Sequence, residues 1–219
     1  MLRAVLVDLY GTLVADDDVL VADLSARLSA RAGVPVADVA AAWHAHQWAA
    51  GDVAHGDAFR TLADLTRATL VHLGVAFAVP VDVEAELAVL RAAWRRPALL
   101  PDAAAFLAGL DVPVCVVSDA DRADARAAVA LHGLTVRDVV TSEDVRAYKP
   151  RPEPFRRALD RLGVDPREVV HVGDSGTADV GGASALGMRT VHVDRGGRGL
   201  PPGVVASTVV GSLTEVRLP

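Results

Sequence analysis

Residues 3–14 read RAVLVDLYGTLV, an apolar run from Ala4 to Val7 that ends on the carboxylate of Asp8 and turns at Gly11. Consecutive apolar residues without alternation mark a strand buried on both faces, as in a parallel sheet. Residues 3–8 are therefore predicted to form such a strand, with Asp8 at its carboxyl end. That is where ligands collect in open parallel sheets.

The same pattern resumes beyond residue 96. Val112–Val117, Val139-Val140, Val169–Val172 and Thr190–Val193 read as strands, and Arg122–His132, Pro152–Leu162 and Thr177–Leu186 as the helices between them. Alternating strands and helices predict an α/β fold, a Rossmann-like parallel sheet covered on both faces. Between about 20 and 96 no convincing strand occurs. Leu20, Leu24 and Leu28 recur at helical spacing up to Gly33 and Pro35, and a second helix runs from Val36 to Ala50, stopping at Gly51. A third is expected to start with Asp57 as N-cap, to turn Phe59, Leu62 and Leu65 inward and to end at Gly74. A fourth starts near Asp82, with Leu87, Leu90 and Trp94 on one face. The expected organisation is a core domain, residues 1–14 and 97–219, interrupted by an inserted α-helical domain, residues 15–96. The stretch RGGRGLPPG (195–203) reads as a mobile, solvated surface loop.

Composition narrows the function. The chain has 219 residues, 52% of them apolar, enough for a large domain carrying an insertion. A net charge of −6 argues against nucleic acid as the main partner, and no apolar run reaches membrane-spanning length. Asp8 cuts the first apolar run and no cleavage-site pattern follows, so a secretion signal is not expected. The single cysteine, Cys115, sits in an apolar run, reads as a buried inert thiol and fits a cytoplasmic location. Of 22 basic residues only Lys149 is lysine. This is either coding bias or a site that needs a compact ammonium which a planar guanidinium cannot replace.

The polar residues at the predicted strand ends form a short set. Asp8 ends the first strand, Ser118 and Asp119 follow PVCVV, and Asp174 follows VVHVG, with Asp179 a little over one helical turn later. Lys149 lies in YKP, where Pro150 keeps it extended. Each alone is an ordinary strand-end or cap residue; four strand ends supplying acids, a hydroxyl and the lone lysine suggest a site.

In this order DLYGTL, VVSDA, YKPRPEPF and GDSGTAD resemble the four motifs of the haloacid dehalogenase (HAD) superfamily, and the resemblance runs along the whole chain. The helical insertion resembles that superfamily's cap. The resemblance implies that Asp8 is a nucleophile forming a covalent aspartyl intermediate. Thr12 and Ser118 would hold the transferring group, and Lys149 would neutralise Asp8 and an anionic substrate. Asp174 and Asp179 would bind Mg2+ together with Asp8 and the main-chain carbonyl of Tyr10. Like charges about 4 Å apart repel by about 4 kcal/mol at an effective dielectric near 20, so three carboxylates and a phosphate need cations, and hard oxygen ligands suit Mg2+.

Two chemistries occur in the superfamily. Its phosphatases usually carry a second aspartate two residues after the nucleophile, to protonate the departing alcohol and later activate water. Tyr10 stands there, as in the 2-haloacid dehalogenases, whose halide needs no proton. The cap segment AAWHAHQWAAG (41–51) also resembles the dehalogenase cap. Other positions resemble phosphatases: those dehalogenases need no metal and have serine at Asp174, asparagine at Asp119, an arginine corresponding to His44 and a tyrosine corresponding to Phe155.

The resemblance thus implies an Mg2+-dependent phosphatase acting on a small anionic phosphomonoester through phospho-Asp8. The alternatives are a metal-independent 2-haloacid dehalogenase and a weakly catalytic protein that binds a phosphorylated ligand. A phenol can donate a proton but is a poor base at neutral pH. Tyr10 therefore points to slow dephosphorylation, to another base such as Asp119, or to a leaving group that departs unaided, as in sugar-1-phosphates, acyl phosphates and aryl phosphates. Equally, Tyr10 only packs against the cap. Trp43, His44, His46, Gln47 and Trp48 would line the substrate pocket, with His44 and Trp48 on one helix face. His55, His72 and His132 are expected at surfaces, and His171 and His192 as satisfied core histidines. A monomer or homodimer is expected.

Overall fold

A computed structural model describes residues 1–218. Six parallel strands form one sheet in the order β3-β2-β1-β4-β5-β6. They are β1 (Ala4–Val7), β2 (Val114–Ser118), β3 (Asp138–Thr141), β4 (Val169–Gly173), β5 (Arg189–Val193) and β6 (Thr208–Val210). Val5 of β1 registers with Val114 of β2 on one side and Val170 of β4 on the other. Every residue of β1, β2 and β4 is buried, as strands covered on both faces must be. The order reverses between β1 and β4, and such a switch point opens a crevice at the carboxyl ends of the strands.

Side chains alternate across the sheet. Val5, Val7, Val116 and Val172 pack on one face with Ala103, Leu107, Ala125 and Ala128. Ala4, Leu6, Cys115 and Val117 pack on the other with Phe155 and Leu159. The covering helices are α5 (Ala103–Ala108), α6 (Arg122–Leu131), α7 (Ser142–Val145), α8 (Pro152–Leu162) and α9 (Gly182–Ala185), and they join four earlier ones, α1 (Asp18–Ala32), α2 (Val36–Val53), α3 (Leu62–Ala76) and α4 (Val83–Arg95). Helices α1–α4 enclose a core of their own, built around Leu24, Leu28, Trp43, Leu70, Leu73, Leu87 and Trp94. Tyr10 touches both this core and the sheet core. Among the described residues no helix is long and apolar enough to cross a membrane.

Several expectations need correction. The third helix does not start at Asp57, which is fully exposed within a separate 3-10 turn, Gly56–Ala58. Thr61 caps it instead, accepting from the Asp64 amide, and the helix runs past Gly74 to Ala76. The segment expected as a helix over Thr177–Leu186 is a π-helical turn, Gly176–Gly181, leading into α9. The short elements α5, α7 and β6 carry too few residues for periodicity to mark them. Arg195 is not a solvated loop residue: its guanidinium grips both carboxylate oxygens of Asp102 at 2.8 Å and the Thr12 carbonyl at 3.1 Å.

Candidate active site

The strand ends bring the predicted polar residues together. Asp8 leaves β1, Ser118 ends β2 and Asp119 follows it, and Asp174 leaves β4. They line one cleft of about 500 Å³ with Tyr10, Lys149, Asp179 and Trp48. Lys149 is buried between two acids, its Nζ donating to Asp8 Oδ1 at 2.7 Å, to Asp179 Oδ1 at 2.6 Å and to the Val117 carbonyl at 3.1 Å. Burial alone would lower its pKa, but Asp179 and Asp8 more than offset that and hold the ammonium well above the ordinary lysine range. Asp8 moves the other way. Burial, aided by Asp179 and Asp174, raises its pKa well above the usual carboxylate value despite Lys149.

Asp179 is held by protein groups on both oxygens. Oδ1 faces Lys149 Nζ and His171 Nε2, the latter at 2.9 Å, and Oδ2 accepts from the Ser175 amide at 3.0 Å. Burial opposes ionisation, yet Lys149 and His171 outweigh it and keep Asp179 charged. Among the described residues the Asp174 carboxylate is met by the Thr12 hydroxyl alone, at 3.3 Å, and burial with Asp179 nearby lifts its pKa to about 6. Asp8, Asp174 and Asp179 each offer an oxygen, and these oxygens lie within 4.8 Å of one another. Three ionised carboxylates against one ammonium leave two negative charges; the pKa rises at Asp8 and Asp174 come first from burial and then from the neighbouring carboxylates. An all-oxygen set with an excess charge of two fits a hard divalent cation. Gly11 completes the cradle: at φ 84° its missing Cβ would lie 2.6 Å from Asp174 Oδ2.

The other predicted residues divide. Ser118 is buried at the cleft wall. The Thr12 hydroxyl meets Asp174, so it orients a carboxylate. Asp119 lines three adjoining clefts; its Oδ1 accepts from the Lys149 amide at 2.9 Å, and burial, partly offset by Lys149, raises its pKa to about 6. The Tyr10 hydroxyl donates to the Trp94 carbonyl in α4 at 2.7 Å. Burial first, and the carboxylates of Asp124 and Asp8 next, push its pKa well up.

In the helical block, His44, Gln47 and Trp48 face one cleft and Trp43 edges a neighbouring one, whereas His46 lines neither. Trp43 is buried in the helical core, His46 bonds Thr69 and stacks on His72, and the Gln47 amide bonds Thr66. Phe155 is wholly buried, edge-on to His171. Of the two core histidines, His171 has one ring nitrogen on Asp179. His192 lines the cleft with neither nitrogen partnered among the described residues, so it is not satisfied as expected. Sequence reading missed His171 as a partner of Asp179, although His171 lies two residues before the GDSGTAD stretch that Asp179 ends.

Comparison with known proteins agrees with the motifs. A family model for haloacid dehalogenase-like hydrolases matches residues 2–187. A phosphoserine phosphatase of Thermus thermophilus is 40% identical over 131 residues, 57% of this chain and 52% of its own length, so the chain spans about half of that relative. An (S)-2-haloacid dehalogenase of Xanthobacter autotrophicus is 32% identical over 202 residues, covering 89% of this chain and 76% of that one. The solved structure of an L-2-haloacid dehalogenase from Xanthobacter autotrophicus superposes with a TM-score of 0.77 at 26% identity, over 97% of this chain and 96% of that one. An α/β hydrolase with a nucleophile candidate at a sheet switch point is the class so defined. The chain belongs to the haloacid dehalogenase-like hydrolases.

Proposed function

We propose that this hydrolase is an Mg2+-dependent phosphatase for a small phosphomonoester, with Asp8 as nucleophile, in a core of residues 1–14 and 97–219 under a helical cap of residues 15–96. The supporting observation is the carboxylate of Asp174, which with Asp8 and Asp179 leaves two negative charges unbalanced. A reaction on a neutral carbon centre has no need for that excess. Asp8, Asp174, Asp179 and the Tyr10 carbonyl would hold Mg2+. Bound there, the ion would supply the charge neutralisation that lets a phosphate dianion approach a carboxylate.

Asp8 Oδ2, the oxygen not committed to Lys149, attacks phosphorus, and the bond to the leaving oxygen breaks. Lys149 and Ser118 hold the transferred phosphoryl oxygens, and Thr12 acts by orienting Asp174. Water then cleaves phospho-Asp8, with Asp119 accepting its proton: a carboxylate titrating at about 6 is largely ionised at neutral pH. His44 and Trp48 contact the substrate's leaving group from the cap.

Tyr10 favours a second reading, haloacid dehalogenation. There Asp8 displaces halide from carbon, and the departing ion needs no proton. A third reading is a ligand-binding protein that turns over slowly. One experiment separates them: phosphate release from a phosphomonoester panel with Mg2+ and with EDTA, beside halide release from 2-chloropropionate. EDTA-sensitive phosphate release is expected. EDTA-insensitive halide release overturns the phosphatase reading; phosphate binding without either activity supports the third.

A further inference from the structure

Beside the reactive cleft lies a second one, of about 510 Å³, and the two share Trp48, Asp119 and Lys149. Helices α2 and α3 and the segment 148–151 wall it, chiefly with Trp48, Leu62, Leu65 and Tyr148. The Tyr148 hydroxyl donates to the Arg60 carbonyl at 2.8 Å and its ring stacks on Phe59 at 5.4 Å. What Tyr148 offers a ligand is therefore aromatic carbon.

The Lys149 ammonium sits between Asp8 and Asp179. Arg151 donates one hydrogen bond to the Asp52 carbonyl at 3.0 Å, and the acids Asp52 and Asp119 line the same cleft, so a second anionic group here would meet two carboxylates as well as one guanidinium. The leaving group that suits walls of Trp48, Leu62, Leu65 and Tyr148 is uncharged and apolar.

The reactive side adds an independent constraint. The Tyr10 hydroxyl, at the position where an acid would serve the departing oxygen, donates to Trp94 instead. An alcohol with a pKa near that of water, about 16, departs poorly without a proton, whereas a phenol, at about 10, departs far more readily.

Building on the phosphatase reading, we propose that the substrate is an aryl phosphate. Its uncharged ring seats against Trp48, Leu62 and Tyr148, and its phosphoryl group meets Asp8 and Lys149. Asp8 bonds to phosphorus as the aryl C–O–P bridge breaks on the phosphorus side, and the electron pair leaves on a phenolate. Water then hydrolyses phospho-Asp8; its hydroxide part goes to phosphate and its proton ultimately to the phenolate. The products are a phenol and inorganic phosphate.

The test measures phosphate release with Mg2+ from acetyl, phenyl, naphthyl and hexyl phosphates. The KM for naphthyl phosphate is expected about tenfold below that for phenyl phosphate, because the second ring buries more apolar area. Hexyl phosphate, apolar but with a poor leaving group, should turn over at least about a hundredfold more slowly than phenyl phosphate, the smaller end of what a general acid supplies. Trp48→Ala should erase the naphthyl advantage and Trp48→Phe restore most of it; Trp48 is 56% exposed, so neither change threatens folding. Equal KM values for phenyl and naphthyl phosphates, or hexyl phosphate turned over as fast as phenyl phosphate, overturn the inference while acetyl phosphate is still cleaved. No release from any of the four overturns the phosphatase reading, and the inference with it.

Discussion

Tyr10 and Asp119 both line the cleft beside Asp8, and in the proposed mechanism their environments give them different parts. Tyr10 is fixed by Trp94 and kept protonated, so it neither gives nor takes a proton easily. Tyr10→Asp removes that contact and installs a carboxyl group; turnover of an alkyl phosphate should rise by about tenfold or more, within the range of general acid catalysis. An unchanged or lower rate would show that the Trp94 contact outweighs the missing acid. Asp119, titrating at about 6, must be ionised to accept a proton from water, so kcat should fall as pH drops through about 6. Asp119→Asn should lower kcat about a hundredfold, remove that limb and let phospho-Asp8 accumulate, which mass spectrometry after acid quench detects. If the limb survives the substitution, the proton belongs to another group. That Asp8, Asp119 and Asp174 share one cleft was legible in sequence because each stands just beyond an apolar strand. The directions of Tyr10 and Thr12 were not: their partners, Trp94 and Asp174, lie 84 and 162 residues away.

Gly11 shows how a turn between elements carries chemistry. Beyond the end of β1 it adopts φ 84°, and a Cβ there would press on the Asp174 carboxylate that follows β4. Gly11→Ala should cost about 1–3 kcal/mol from left-handed strain and should weaken Mg2+ binding as Asp174 is displaced. Thermal melts and Mg2+ titration check both, and unchanged Mg2+ affinity would remove Asp174 from the ligand set. Sequence patterning located β1, β2, β4 and β5 to within a residue or two, since continuous burial leaves little freedom in where such strands begin and end. It misplaced the start of α3 because Asp57 is a plausible local cap, whereas Thr61 is the one that reaches an amide. It also read a regular helix where the chain makes a π-helical turn. That turn sets the Asp179 carboxylate against the missing Cβ of Gly173, within 2.4 Å, a packing demand that no local pattern announces.

Across the whole molecule, Asp102 ties distant segments together. Its carboxylate receives Arg195, the Ser212 hydroxyl and the Leu213 amide, and Arg195 reaches on to the Thr12 carbonyl behind the nucleophile loop. Burial opposes the charge, but Arg195 and Ser212 outweigh it and bring the Asp102 pKa down to about 2. A depressed carboxylate pKa stabilises the fold above the unfolded value of about 4 and loses that contribution as pH falls towards 2; the shift corresponds to about 2 kcal/mol. Asp102→Asn should therefore lower stability by about 2 kcal/mol at neutral pH and flatten the acid limb of stability below pH 4. Denaturant melts across that window test it, and parallel acid limbs in both proteins would place the stabilisation elsewhere.

The junction between the sheet layer and the helical layer is built on a comparable long-range contact. The Leu62 and Ala63 amides at the start of α3 donate to Asp121, a residue of the other layer, at 2.7 and 3.1 Å. Thr61 caps only the Asp64 amide, so these two N–H groups lose their partner whenever the layers separate. In deuterated solvent they are a built-in clock. Their protons should exchange at the rate at which the layers part, while amides in the middle of α3 wait for the helix itself to open. A ligand that bridges Trp48 and Lys149 would hold the layers together, and it would slow that clock without touching either amide.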